Sequence, residues 1–211
     1  MYTATATTTI AAASGYNGSG IDGNVYRDVV DAAHGAPSWL DSLVSAFSTY
    51  GLVLFAVLML FGWWQARAQD AQQAVKALAA PVLTVIAFAV STVLKQAVHE
   101  NRPCQSLHVI TLEACPQPGD WSFPSNHATL AAAAAVALWF VSTRLGAVAT
   151  GIALAMAASR VWVGAHYPHD ALAGLAVGGV VALPLALLLS RRTQELAGLF
   201  SRTRLRLLIT S

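Results

Sequence analysis

Long stretches without charge dominate the chain. Residues 43–64, 77–94, 128–143, 145–159 and 171–190 contain no Asp, Glu, Lys or Arg. A helix that crosses a bilayer takes about 20 mostly apolar residues, so this pattern predicts five spans. The third and fourth are short when bounded strictly by charge, which sets His127 and Arg160 slightly below the headgroup plane. The first ends in Trp63-Trp64, an interfacial aromatic pair. The last three are rich in small residues, among them alanines 131–135, Gly174, Gly178 and Gly179. Small residues let helices approach closely in lipid. The expected fold is therefore all-α, a polytopic transmembrane helix bundle.

Between the spans the pattern changes. Residues 1–24 are rich in Thr, Ala, Gly and Ser, lack the basic start of a signal peptide, and are expected to form a mobile tail. Residues 25–43 carry Pro37, Trp39 and several acids, and predict one short interfacial helix leading into the first span. The expected organisation is a tail over 1–24, a transmembrane domain over 25–192 and a basic cytoplasmic tail over 193–211. Arg202, Arg204 and Arg206 in the last segment suit anionic lipid headgroups.

Composition sharpens this reading. Of 211 residues, 56% are hydrophobic and only 10% charged. Soluble domains average about 25% charged residues, so a soluble globule, a disordered chain and a nucleic-acid binder are all excluded. Net charge is only +2, but its distribution predicts an orientation. One side of the five-span arrangement holds Arg67, Lys76, Arg144, Arg191, Arg192, Arg202, Arg204 and Arg206 against only Asp70 and Glu195. The positive-inside rule assigns that side to the cytoplasm. The loop over 99–126 then faces outward, with both cysteines, Cys104 and Cys115. An oxidising compartment permits a disulfide between them. Two free thiols are the alternative, since spacing alone does not fix the Cα separation that a bridge requires.

The remaining ionisable side chains near span ends fall in three outward-facing segments. The first runs from Lys95 through His99 and Glu100 to Arg102-Pro103. The second is Phe123-Pro124-Ser125-Asn126-His127, and the third runs from Ser159-Arg160 through His166 and His169 to Asp170. Ionisable groups next to hydrocarbon are costly, so their default reading is functional. Lys95, Arg102 and Arg160 bring three cations to one membrane face. Arg offers a planar fork that matches phosphate oxygens, and Lys a point charge. Ser125 and Asn126 precede a helix whose first N–H groups form an anion site. His127 and His166 exchange protons near neutral pH. Asp170, four residues after His166, can bond one imidazole nitrogen and make the other a better nucleophile.

Lys-x6-Arg-Pro, then Pro-Ser-x-His, then Ser-Arg-x5-His-x3-Asp resembles the signature of the type 2 phosphatidic acid phosphatase (PAP2, lipid phosphate phosphatase) family. Asn126 stands where the common pattern has Gly. The resemblance implies that His166 attacks phosphorus to form a phosphohistidine, that Asp170 orients His166, and that His127 protonates the leaving oxygen. It also implies that Lys95, Arg102, Ser125, Asn126 (through its backbone) and Arg160 hold the phosphate oxygens. No cofactor and no metal are expected, because three fixed cations take over charge stabilisation. His99, Glu100 and His169 lie near the site but outside the signature.

The implied substrate is a membrane lipid, foremost a polyprenyl diphosphate such as undecaprenyl diphosphate, cleaved to the monophosphate. Phosphatidic acid, phosphatidylglycerol phosphate and polyprenyl phosphosugar phosphates are the alternatives. Two other classes are remote. A vanadate-dependent peroxidase has a similar pocket on a larger soluble protein. A non-catalytic phosphate-binding membrane protein has no need of a nucleophile, an acid and their support together.

Overall fold

The computed structural model describes residues 15–209, and within them the fold is all helical with one isolated backbone bridge. Eight helices follow in order: α1 (Ser19–His34), α2 (Ser38–Tyr50), α3 (Leu52–Arg67), α4 (Ala71–Val98), α5 (Pro103–Leu107), α6 (Asn126–Val141), α7 (Thr143–Trp162) and α8 (Pro168–Ser201). A 3₁₀ turn, Arg204–Leu208, closes the described chain.

Helix α6 is the axis of the bundle. It packs against α3, α4, α7 and α8, and Ala128, Ala131, Ala133, Ala134, Ala137 and Leu138 on it are almost fully buried. Gly174 and Gly178 of α8 lie directly over it: a β-carbon at either would press into the backbone carbonyl of Ser125 or Thr129. Backbone thus meets backbone across this seam, as small residues in lipid allow.

Among the described residues three helices are long and apolar enough to cross a bilayer, α4, α7 and α8. A fourth span is obtained if α2 and α3, which meet at a 55° bend, count as one. The first uncharged run is therefore broken rather than straight. The break falls at Gly51, after Ser48 and Thr49, where local backbone and side-chain competition weakens a helix. Helix α6 has 16 residues, or about 24 Å at 1.5 Å per residue, less than the roughly 30 Å of hydrocarbon. Its neighbours bury it, so the bilayer does not set its length.

Both ends of the chain depart from expectation. The helix expected over 25–43 is two helices. Helix α1 starts at Ser19, inside the segment expected to be mobile, and Pro37 forces extended backbone before α2. Residues 1–14 of that expected tail lie outside the described residues. Helix α1 is also held by protein rather than only by an interface: Tyr26, Val30 and Ala33 are buried, and the Tyr26 hydroxyl donates to the Gly164 carbonyl at 2.9 Å. At the other end α8 runs unbroken past residue 192. Thr193 bonds Gln72 at 3.2 Å, and Ile209 is buried with Ala74, Val75 and Ala197. An apolar residue every few positions keeps this basic segment on the bundle, so residues 193–209 are not a separate tail.

Candidate active site

The C-terminal ends of α4 and α7 and the N-terminal ends of α6 and α8 converge, and the 99–125 loop covers them. Helix α7 ends at Trp162 in a turn through Gly164, whose φ of +80° favours glycine. The Arg160 carbonyl accepts from the N–H groups of Ala165 and His166, at 3.0 and 3.2 Å, which fixes the backbone that carries His166. Helix α8 then starts with Pro168 in its first turn, where the missing N–H costs nothing. Asp170 reaches back to accept from the Tyr167 N–H at 2.9 Å. One carboxylate thus caps the helix and faces His166.

His166 is buried, with Nδ1 3.5 Å from Asp170 Oδ2 and 3.3 Å from the Ser122 hydroxyl. Its Nε2 lies 3.1 Å from Nη1 of Arg102. A guanidinium only donates, so Nε2 accepts there, the proton of a neutral ring sits on Nδ1, and the Nε2 lone pair is the nucleophilic one. Burial first, then the charges of Arg102, Lys95 and Arg160 and the nearby His127, hold the ring's pKa well below its ordinary value. The imidazole is therefore neutral at physiological pH.

The cations are buried and held by hydrogen bonds to the protein. Arg102 donates to the Asp120 carbonyl at 3.0 Å, to Asp120 Oδ1 at 2.9 Å and to the Ala165 carbonyl at 3.0 Å. Lys95 donates to the carbonyls of Trp121 and Ser122, at 2.7 and 3.0 Å. It braces the segment that leads into α6. Arg160 forms a two-pronged pair with Glu113, at 2.8 and 3.2 Å, and donates to the Ser48 hydroxyl of α2 at 2.5 Å. Among the described residues its Nε has no hydrogen-bond partner, and neither does the buried Ser125 hydroxyl. Two donors are thus available for an anion. The Ser125 N–H donates to the Asp170 carbonyl at 3.0 Å, tying the start of α6 to α8. The Asn126 side chain is turned away to accept from Ser91 of α4 at 2.7 Å. Cys104 and Cys115 are joined as a disulfide, with Cα atoms 5.9 Å apart. Among the described residues Glu100, His169 and Asp170 are close enough to share a metal ion. Both ring nitrogens of His169 are already taken by carboxylates, however, at 2.8 and 2.9 Å.

Residues from all three sequence segments therefore meet in one place. Sequence reasoning missed the residues that hold them. The Ser122 hydroxyl donates to Asp170 Oδ2 at 2.5 Å and touches His166, and Asp120 and Glu113 engage the two arginines. Nothing in the spacing of the loop marks these three. Ser91 and Ser48 sit inside apolar runs, where a lone serine carries no signal.

A family model described as the PAP2 superfamily matches residues 76–194, which include every segment of this site. The chain belongs to the PAP2 superfamily. It is 30% identical over 157 residues to undecaprenyl-diphosphatase BcrC of Bacillus subtilis, covering 73% of this chain and 79% of that one. It is 49% identical over 72 residues to a lipid A 1-phosphatase of Rhizobium etli, a stretch spanning 33% of this chain and 30% of that relative. The fold is similar to the crystal structure of a transmembrane PAP2-type phosphatidylglycerolphosphate phosphatase from Bacillus subtilis, with a TM-score of 0.51 and 18% identity over 86% of this chain and 89% of that one. Family and apolar helices together make this a membrane-embedded PAP2 lipid phosphatase, a hydrolase.

Proposed function

We propose that the protein hydrolyses a polyprenyl diphosphate, such as undecaprenyl diphosphate, to the monophosphate through a phosphohistidine at His166. The observation that carries this reading is the His166 ring, neutral and buried, with Nδ1 towards Asp170 and Nε2 beside Arg102. Nε2 attacks the terminal phosphorus in line. The bond from that phosphorus to the bridging oxygen breaks, and His127 protonates the departing lipid monophosphate. His127 then takes a proton from water, which attacks the phosphohistidine, releases inorganic phosphate and restores both rings. Arg102, Arg160, Lys95, the Ser125 hydroxyl and the Asn126 backbone hold the non-bridging oxygens. Fixed donors of this kind cost no reorganisation when charge develops. The choice of a polyprenyl diphosphate rests on the similarity to BcrC over most of its length.

The site lies on the extracytoplasmic face of the plasma membrane, and the C-terminus in the cytoplasm, as the positive-inside rule assigns them. The bundle crosses five times: the bent α2–α3 pair, α4, the buried α6, α7 and α8. A membrane-impermeant thiol reagent, applied after reduction, should then reach Cys104 and Cys115 from outside. Labelling only from the cytoplasmic side overturns the orientation.

The deciding experiment is phosphate release by purified protein in detergent with EDTA present. Undecaprenyl diphosphate, phosphatidic acid and phosphatidylglycerol phosphate are compared, each with wild type and His166→Ala. Release from the diphosphate that the variant lacks supports both mechanism and substrate. Preference for a glycerolipid keeps the mechanism and changes the substrate. Full activity in the variant, or none without added metal, overturns the phosphohistidine reading.

A further inference from the structure

Behind the catalytic pair lies a second charged cluster for which phosphoryl transfer has no direct use. Three carboxylates converge there from three parts of the chain: Asp22 of α1, Glu100 of the loop after α4, and Asp170 of α8. Glu100 and Asp170 are almost completely buried. The group among them is the His169 ring. Its Nδ1 is 2.8 Å from Asp22 Oδ1, its Nε2 is 2.9 Å from Glu100 Oε1 and 3.6 Å from Asp170 Oδ1, and its backbone N–H donates to Asp22 Oδ2 at 2.7 Å. The rings of Tyr167 and Phe123 stack on it, with centroids 5.3 and 6.1 Å away. Among the described residues Asp170 Oδ1 has no hydrogen-bond partner, and the His169 ring faces it at 3.6 Å.

A neutral imidazole carries one N–H and one lone pair. It can donate to one of the two facing carboxylates, and the other would meet a lone pair at hydrogen-bond distance. With both carboxyls ionised, only the imidazolium satisfies both. Two buried carboxylates and a partly buried third, without a cation among them, would also be costly. Helix α1 is bent to make this contact: it departs from helical geometry at Asp22, with φ of −145°, and that residue turns two oxygens onto His169.

We propose that His169 is a positioning residue, a permanent imidazolium that fastens α1 over the active site and holds Asp170 as the carboxylate that orients His166. The inference rests on the role given to Asp170 and His166 above. His169 itself touches neither His166 nor the phosphate donors by any hydrogen bond in the structure, and acts through Asp170.

The test uses full-length protein in detergent, labelled with ¹⁵N only at histidine, the His169 signals being assigned by their loss in His169→Gln. Both ring nitrogens of His169 should stay protonated from about pH 6 to about pH 8, across the range where a free imidazole, with a pKa of about 6.5, loses its proton. In Asp22→Asn, with one of the two facing carboxylates removed, the ring should titrate within that range. A bare ring nitrogen at about pH 8 in the wild type overturns the proposal. Turnover supplies the second readout. Asp22→Asn and His169→Gln should each lower kcat by about 10- to 100-fold with KM little changed, the scale of a small misplacement of reacting groups. In His169→Gln, which removes the cation itself, the acid limb of the kcat profile should also move to higher pH, because a proton then competes better for the remaining carboxylates. An equal loss at every pH, accompanied by a lower Tm, would mean that the cluster only holds α1 in place, and overturns the positioning role. His166→Ala reads the underlying mechanism separately: if that variant turns over, the active-site reading falls while the ¹⁵N result still stands.

Discussion

The seam between α6 and α8 and the site above it are built on opposite principles. In the seam, contact is steric: Gly174 and Gly178 let the backbone of α8 rest on the carbonyls of Ser125 and Thr129 and on the methyls of Ala128 and Ala132. In the site, contact is electrostatic. Lys95, Arg102, Arg160 and Asp170 are buried, and each is held by hydrogen bonds to loop carbonyls, carboxylates or a serine. The seam should tolerate changes of polarity better than an added methyl group, and the site should tolerate changes of volume better than loss of a charge. The two meet at Ser125, whose N–H bonds Asp170 and whose carbonyl faces Gly174. Packing in the membrane thereby sets the geometry of the chemistry outside it.

The largest effect expected is on the electrostatic side. Arg160→Ala removes a guanidinium that the proposed mechanism places on the phosphate, and leaves Glu113 without its cation. The loss in kcat/KM should be about 100- to 1000-fold, or about 2.7–4 kcal/mol, the scale of a lost oxyanion donor. Steady-state kinetics on undecaprenyl diphosphate would measure it. Arg160→Lys should recover little, because an ammonium does not reproduce the fork. Wild-type turnover in Arg160→Ala would move this arginine to the structural side of the comparison.

On the steric side, Gly178→Ala should cost about 1–3 kcal/mol, typical of overpacking. Gly179→Ala, one residue on and with nothing near its β-carbon, should cost nothing. Unfolding of the two variants in the same detergent tests this directly. Equal stabilities would show that the seam yields more than its close contacts imply.

The two regions also differed in how far the sequence revealed them. Charge and histidine stand out against apolar runs, so Lys95, Arg102, His127, Arg160, His166 and Asp170 were legible, and the structure brings their segments together. The residues that hold them were not. Ser122, Asp120 and Glu113 matter only because the loop folds back onto Arg102, Arg160 and His166, and no local pattern encodes that. The uncharged runs marked the apolar segments that form α2–α3, α4, α6, α7 and α8, but not α1, α5 or the bend at Gly51, because an uncharged run reads alike whether straight or broken. Hydropathy also set the ends of the domain badly. Charge density at 191–206 reads as a solvated tail, while Thr193, Ala197 and Ile209 keep that segment packed against α4.

A third prediction concerns acid. The ring of His166 is neutral in the folded protein because burial, followed by Arg102, Lys95 and Arg160, holds its pKa down. Above about pH 6.5 the folded and unfolded states both leave it unprotonated, and it contributes no pH dependence. Below that value the unfolded chain binds a proton that the folded chain does not. This group should therefore lower stability by about 1.4 kcal/mol for each further unit of pH, until the native ring is also protonated. Comparing wild type with His166→Gln between about pH 7 and about pH 5.5 isolates its share. Identical pH dependence in the two proteins would mean that His166 is not buried as a neutral base.

The smallest effect expected comes from an ion pair that resembles Arg160–Glu113 in chemistry and differs in place. Arg192 meets Glu195 at 3.0 Å one turn along α8, with side chains 64% and 65% exposed, whereas the Arg160 side chain is only 5% exposed. Water already solvates both partners of the exposed pair, and two long side chains lose rotamer freedom to hold it. Such pairs contribute about 0.3–0.5 kcal/mol on a helix. Arg192→Ala should therefore leave turnover unchanged and shift unfolding in detergent by no more than that. Set beside Arg160→Ala, it asks whether burial within the site, rather than the pairing of Arg with Glu, makes the difference. A loss from Arg192→Ala comparable to that from Arg160→Ala would show that the C-terminal end of α8 is coupled to the site through the helix, and that the two regions are not independent.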